Sequence, residues 1–176
     1  RFRDCEGARQ AAATIKHEAI AHLDRHLEEL VTRLEARGTK VHWASTAEQA
    51  RQIITGICRD RQARRIVKSK AMTAEEIHLN DALETAGFEV VESDLGEYIV
   101  QLRAAAPYHI VFPAMHLTRG EIRDLFQRKL GDAPSDNPEE LTMVARRVLR
   151  QKYLEADVGI TGANFAIAET GMISVT

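Results

Sequence analysis

Three polar segments of the chain each follow a predicted strand, where ligands of α/β proteins gather. The first segment holds Lys68, Ser69 and Lys70, and the helix after it adds Glu76 and Asn80. Two ammonium groups beside a helix N-terminus suit a phosphate or a carboxylate. Solvent-exposed lysines at a strand end are an equally good interpretation of the same residues.

The second segment is an acidic loop with Asp94, Gly96 and Glu97. Such loops bind a ribose, a sugar hydroxyl or a metal ion. Asp94 is also a typical helix N-cap, because its carboxylate accepts hydrogen bonds from the first free N–H groups of a helix. The capping interpretation is favoured here.

The third segment, residues 159–171, is rich in glycine and is the best site candidate in the chain. Gly162 permits a close ligand approach that a side chain would block. The segment lacks both the G-x-G-x-x-G dinucleotide fingerprint and the Gly-Lys-Ser/Thr of a P-loop. Its candidate residues are Thr161, Gly162, Asn164, Glu169, Thr170 and Gly171. We expect a pocket between Lys68 and this loop.

Metal chemistry is not expected within these 176 residues. The two cysteines, Cys5 and Cys58, lie far apart, whereas a 4Fe–4S cluster generally needs four thiolates and a structural zinc site needs four Cys or His ligands. His22 and His26 have the i, i+4 spacing of helical ligands, but a polar helix face explains them better.

The elements around these segments predict an α/β fold. A long N-terminal helix is predicted over residues 8–37, and Gly38 ends it. Strands are predicted at 40–44, 65–69, 88–93, 108–114, 158–161 and 171–176, and helices at 46–58, 73–86, 118–130 and 139–154; residues 96–103 suit either. This alternation indicates a mostly parallel sheet with helices on both faces. We expect a helical segment over 1–38 and an α/β domain over 39–176.

Composition restricts the class of protein. The formal net charge of −2 provides no positive field for nucleic acid. No apolar run approaches the roughly 20 residues that span a bilayer, and the first ten residues lack a signal-peptide core. We therefore expect a cytoplasmic protein. The final run, 171–176, resembles a strand cut off midway, so a longer protein is expected.

Several long motifs, in order, resemble the lactate-utilization (LUD) domain family. They are KSKAMTAEEIHLNDAL, EVVESDLGEYIVQL, HIVFPAMH and ADVGITGANFAIAETG. The resemblance implies a fold akin to the sugar-phosphate isomerase and CoA-transferase superfamily, and a part in a multi-protein complex that oxidises L-lactate to pyruvate. It also implies a following cysteine-rich region that carries 4Fe–4S clusters. The matching residues are those of the three segments, although Ala71 and Met172 stand where Ser or Thr is expected.

Three functions remain open at this point. In the first, the LUD domain of an oxidoreductase complex binds a small anion or a partner subunit near Lys68, Lys70 and the 159–171 loop, and is inactive alone. In the second, the chain is a docking module that uses helix 8–37. In the third, it is an isomerase or transferase for phosphorylated sugars or CoA esters, with Glu97 or Glu169 as the catalytic base.

Overall fold

The computed structural model describes residues 4–132 and 135–175. In chain order its elements are α1 (Cys5–Ala21), α2 (Leu23–Ala36), α3 (Ala47–Asp60), β1 (Arg65–Lys68), α4 (Met72–Glu76), α5 (Leu79–Thr85), β2 (Glu89–Glu92), α6 (Leu95–Arg103), α7 (Arg119–Leu130), α8 (Pro138–Glu155), β3 (Val158–Ile160), β4 (Phe165–Ile167) and β5 (Met172–Ser174). They form two compact units. The larger unit is Ala44–Gly162, and the smaller unit is Arg1–Trp43 with Ala163–Thr176.

A three-stranded parallel sheet, in the order β2-β1-β3, is the centre of the larger unit. Adjacent residues of its strands point to opposite faces. Ile66 and Val90 pack with one core cluster, which includes residues of α3 and α5. Val67 and Val91 pack on the other face with Tyr98 of α6 and Leu149 of α8. The predicted α/β class, with helices on both faces of a parallel sheet, is confirmed. The superfamily-level fold stays a prediction.

Three predicted helix starts are confirmed by their caps. The Thr46 hydroxyl accepts a hydrogen bond from Gln49 N at the start of α3. Thr118 and Glu121 form a reciprocal capping box at α7. Asn137 accepts hydrogen bonds from the first turn of α8, with Pro138 in that turn. These polar side chains satisfy backbone donors that a helix leaves free at its N-terminus.

The predicted strand at 108–114 is wrong. Tyr108 N donates to Pro113 O and closes a turn. The His109 Nδ1 atom accepts hydrogen bonds from Val111 N and Phe112 N, at 3.1 and 3.2 Å. This side chain therefore takes the backbone donors that a strand ladder would use. Apolar side chains in this stretch, such as that of Phe112, are exposed instead of buried.

The helix predicted over 73–86 is divided into α4 and α5 at Ile77–His78. His78 has a left-handed backbone, with φ of 51°. The Ile77 carbonyl accepts a hydrogen bond from Arg51 Nη1 at 2.8 Å, so a side chain of α3 occupies this acceptor at the break. The helix that was predicted to begin at Thr73 begins at Met72, with Ala71 as its N-cap residue.

Two further predictions are settled by the structure. Residues 40–44 form no strand with any described residue, so that prediction is wrong. The ambiguous stretch 96–103 is helical, in α6.

The smaller unit contains two helices and a hairpin. The single helix predicted over 8–37 is interrupted at His22, where φ is −121° and ψ is 32°, and so becomes α1 and α2. Strands β4 and β5 pair in an antiparallel hairpin, which confirms the predicted strand at the end of the chain. Neither helix has a buried residue. The boundary predicted at residue 38 stays a prediction.

Candidate functional site

The carboxyl ends of β1 and β2 place a lysine opposite a glutamate. The register of the two strands pairs Lys68 with Glu92, and their side chains meet with Lys68 Nζ 2.8 Å from Glu92 Oε1. The two side chains are only 1% and 5% exposed. Because each charge lacks water, each depends on the other for its stability in the interior.

Asn80 and Gln101 extend this buried pair. Asn80 Nδ2 donates to Glu92 Oε1 at 2.6 Å. Gln101 Oε1 accepts from Glu92 N, and its Nε2 donates to Val90 O. Since β2 is an edge strand, the Gln101 amide satisfies backbone groups that a neighbouring strand would otherwise bond. Glu92 is thus fixed at both its backbone and its side chain.

A second lysine–glutamate pair lies beside the first. Lys70 Nζ is 3.3 Å from Glu97 Oε1 and 3.4 Å from Val111 O. Burial raises the pKa of Glu97, and the nearby charge of Glu75 raises it further, while Lys70 opposes both effects. A buried carboxyl group with a raised pKa is typical of a general acid or base.

The third strand end contributes hydroxyl groups. Ser69 Oγ donates to Thr161 Oγ1 at 2.8 Å, and Thr161 Oγ1 donates to Gly162 O at 3.0 Å. A Cβ atom at Gly162 would lie 3.2 Å from the Cβ of Ala71. Gly162 therefore lets the chain after β3 pass close to the chain after β1. The contacts between these two strand ends run from Ser69 to Thr161 and from Lys70 and Ala71 to Gly162, while the Lys68 side chain contacts Glu92 instead. A shared ligand-binding role of these residues stays a prediction.

A cavity of about 580 Å³ opens beside the ends of β1 and β2, and no residue of the loop 159–171 is part of its lining. Its polar lining includes Lys68, Glu75, Asn80, Glu92 and Glu97. Three of these were predicted as site residues; Glu75 and Glu92 were not. A charged residue at the end of an apolar strand, opposite a lysine, is the sequence signal that would have identified Glu92.

The charges that line the cavity are mostly negative, whereas the sequence predicted a positively charged site for an anion. Five carboxylates line the cavity, against the one ammonium of Lys68. Lys68 and Lys70 are each already paired with a glutamate. The positive charges that suggested a phosphate or carboxylate site are therefore neutralised within the protein.

The other predicted residues of the larger unit have mainly structural contacts. Asp94 caps α6 by accepting a hydrogen bond from Glu97 N, as the favoured interpretation held. A Cβ atom at Gly96 would lie 2.9 Å from Pro113 Cδ, so this glycine admits the 107–117 loop. Glu76 is exposed and lies outside the cavity lining.

The remaining predicted residues lie in the smaller unit. Asn164 N donates to Ser174 O across the hairpin, and Thr170 Oγ1 accepts from Met172 N in its turn. Gly171 has φ of 65°, and a Cβ atom there would lie 2.7 Å from the Cβ of Arg33. Glu169 is exposed. Their role in ligand binding, and that of a pocket reaching Gly171, stays a prediction.

The part of the chain that the structure describes has no group of three or more His, Cys, Asp or Glu side chains arranged to hold a metal ion. Cys58 is buried in the core, which raises the pKa of its thiol, and Cys5 is exposed. No helix within residues 4–132 or 135–175 has the length and apolar character needed to cross a bilayer.

Known proteins resemble nearly the whole chain. The LUD domain model matches residues 27–176. Lactate utilization protein B of Oceanobacillus iheyensis is 49% identical over 170 residues, which are 97% of this chain and 36% of that protein. The Bacillus pumilus protein of the same name is 48% identical, with 94% of this chain and 35% of that protein covered.

The relative of the same name from Anoxybacillus flavithermus is 49% identical over 92% of this chain and 34% of its own length. The chain thus spans about a third of the length of these relatives. No solved structure matches the chain.

Proposed function

The chain belongs to the LUD domain family, and from that membership we propose that it is the ligand- or partner-binding domain of a lactate-utilization protein. In this proposal the whole protein is one component of a cytoplasmic complex that oxidises L-lactate to pyruvate. The observation that carries it is the similarity, at 48–49% identity over 92–97% of the chain, to relatives named lactate utilization protein B.

The redox step of this proposal requires an electron carrier, and the described residues do not provide the ligands for an iron–sulfur cluster. A 4Fe–4S cluster needs grouped thiolates, whereas Cys58 lies in the core and Cys5 is exposed in α1. We place the proposed clusters in a cysteine-rich region outside these 176 residues. The domain described here would position a ligand or a partner rather than carry electrons.

The cavity beside Lys68 and Glu92 supports a ligand-binding role. It lies at the carboxyl edge of a parallel sheet, the usual ligand position in open α/β folds. Its volume of about 580 Å³ falls in the range of small-molecule sites. Because Lys68 and Lys70 are each paired with a glutamate, the proposal does not require lactate itself to occupy this cavity.

An activity assay on the whole protein tests the proposal. The whole protein and its partner subunits, supplied with L-lactate and an electron-accepting dye, should reduce the dye, and deletion of this domain should abolish that reduction. The 176-residue chain alone should reduce none. Undiminished activity after the deletion would refute the proposal, and lactate oxidation by the chain alone would refute its assignment to a complex. Calorimetry with lactate, pyruvate and sugar phosphates tests direct binding.

A docking role has separate support in the smaller unit. Helices α1 and α2 bury no residue, and Ile15, Ile20 and Leu23 are more than half exposed. Such a surface suits a helix-in-groove contact with a partner subunit. Pull-down of the partner subunits by the whole protein, with and without residues 1–38, tests this role. Equal capture by both forms would exclude it.

A further inference from the structure

Several buried oxygen atoms in the cavity lack a hydrogen-bond donor. Among the described residues, the buried side-chain atoms of the lining that have no hydrogen-bond partner are four oxygens and one nitrogen: Glu75 Oε1, Asn80 Oδ1, Glu92 Oε2, Glu97 Oε1 and Lys68 Nζ. The nitrogen is held by its ion pair with Glu92, so the unused groups are mainly acceptors. Glu92 is only 4% exposed, so its carboxylate is deeply buried and bears an unused acceptor on the cavity wall. A buried acceptor without a donor destabilises the folded protein. A ligand that donates hydrogen bonds would recover this cost.

The charge of the lining indicates the sign of that ligand. Of the five carboxylates that line the cavity, two are paired with Lys68 and Lys70. Among the described residues the other three, Glu75, Asp81 and Glu84, have no lysine or arginine within ion-pair distance, so the lining keeps a net negative charge. A field of this sign attracts cations and repels carboxylates and phosphates. The ligand must therefore be positively charged as well as a hydrogen-bond donor.

The apolar part of the wall restricts the ligand further. Leu79 and Val100 line the cavity and are 1% and 2% exposed, while residues 104–107 form another part of the lining. A bare metal ion would gain nothing from such a surface, and the described side chains offer no metal-binding group. An aliphatic chain with a charged nitrogen at its end would contact both parts.

We infer that the cavity bounded by Lys68, Glu75 and Glu92 binds a primary ammonium group on a short aliphatic chain. The ammonium donates to the free oxygens of Glu75, Asn80 and Glu92, and the methylene groups pack on Leu79 and Val100. Two sources share this chemistry: a free alkylamine and the side chain of a lysine on another protein. The inference does not depend on the lactate proposal, since a ligand of either source is compatible with any role of the domain.

Calorimetry on the 176-residue chain tests the inference, with n-butylamine as the free amine and N-acetyl-L-lysine amide as the protein side chain. At least one of them should bind, and raising the salt concentration should weaken the binding. n-Butanol, which has no charge, should bind far more weakly, and sodium L-lactate should not compete. Binding of the free amine alone identifies a small molecule as the source. Preference for the lysine amide identifies a protein side chain.

Two variants locate the site, and one controls for charge. Glu75→Gln removes one acceptor charge and should weaken binding about tenfold, as expected for a hydrogen bond to a charged group. Ala106→Trp should weaken binding by filling the cavity without changing its charge. Glu139→Gln, on the exposed first turn of α8, should bind like the unaltered chain.

The results that overturn the inference are specific. One is that neither amine gives a heat of binding, although thermal melting shows that the chain is folded. Another is unchanged binding by both Glu75→Gln and Ala106→Trp, which would place the amine elsewhere. A third is competition by L-lactate, which would show an anion in the cavity. None of these results would alter the dye-reduction assay of the whole protein.

Discussion

The two units of this chain differ in how they use apolar residues. The larger unit has clusters of buried side chains on both faces of its sheet. In the described part of the smaller unit, only Gly171 is buried. Side chains such as Phe165 and Ile173 are more than half exposed there. The hydrophobic effect therefore stabilises the larger unit from within, whereas the smaller unit gains little from its own apolar residues.

This difference separates two kinds of functional surface. The larger unit has a stable core, and the packing of that core offsets the cost of burying charged groups such as Lys68 and Glu92. The smaller unit keeps apolar area on its surface, which is typical of a protein–protein contact. A ligand site is thus expected in the first unit and a partner contact in the second.

Truncation of a core side chain in the larger unit should have the largest effect on stability. A small effect would contradict the difference in packing between the two units. Phe126 is 0% exposed in α7, whereas Leu23 is 51% exposed in α2. Phe126→Ala should lower the free energy of unfolding by about 3–5 kcal/mol, because it leaves a cavity in the core. Leu23→Ala should change it by less than about 0.5 kcal/mol. Urea denaturation followed by circular dichroism measures both; equal losses would show that α2 is buried in solution.

Gly171 tests whether the smaller unit has specific packing of its own. Gly171 and Gly38 both have positive φ, but only Gly171 has another residue, Arg33, where a Cβ atom would lie. Gly38→Ala should cost about 1–2 kcal/mol for its left-handed backbone. Gly171→Ala should cost about 1–3 kcal/mol more, because the added methyl group overlaps α2.

Hydrogen exchange of β4, β5 and α2 provides the measurement for these two glycines. Exchange should accelerate more in Gly171→Ala than in Gly38→Ala. Equal rates in the two variants would mean that the hairpin does not pack against α2 as described.

The sequence predicted most of the helices correctly, because their determinants are local. Thr118 with Glu121, and Asn137 with Pro138, specify helix starts within a few residues. The wrong predictions at 108–114 and at Ile77 have causes that the spacing of apolar residues does not show. His109 binds nearby backbone donors, and Arg51 binds a carbonyl 26 residues away. Apolar content alone does not reveal such competing hydrogen bonds.

The sequence predicted which strand ends lie together, but it did not predict the charges of the groups there or the position of the cavity. Parallel strands bring their carboxyl ends to one edge, so the meeting of Ser69 with Thr161 followed from topology. The partners of Lys68 and Lys70 depend on strand register and on the start of α6. Without those, two lysines indicated an anion, and the glutamates that neutralise them were assigned no such role.

Gln101 tests whether the edge strand of the larger unit depends on one side chain. Gln101→Leu leaves Glu92 N and Val90 O without their partner and should cost about 1–3 kcal/mol. Gln127→Leu, at an exposed position of α7, is the matched control and should have little effect. Urea denaturation compares the two variants, and an equal effect would show that the edge of β2 is satisfied in another way.

Replacement of Glu97 should have the smallest effect on the stability of the larger unit. Whether that effect is stabilising or destabilising at each pH shows how much stability the buried charge costs. The pKa of Glu97 is raised by burial first and then by Glu75, with a smaller contribution from Glu92, against the lowering effect of Lys70. The native state therefore holds the Glu97 proton to higher pH than the unfolded chain does. Stability from this group is present below the ordinary Glu pKa and is lost as pH rises through the raised one.

Glu97→Gln removes this titration. The variant should therefore be as stable as the unaltered chain at low pH and more stable than it as the pH rises toward neutrality. Thermal melting measured across that range provides the comparison. The exposed Glu121 has a pKa lowered by its hydrogen bonds with Thr118. Glu121→Gln should show the opposite trend: its loss of stability should be complete above the ordinary Glu pKa and should vanish as pH falls through the lowered one. A chain that Glu97→Gln destabilises at neutral pH would mean that the ion pair with Lys70 outweighs the cost of burial. The carboxylate would then be retained for its stability, and no functional explanation of its burial would be needed.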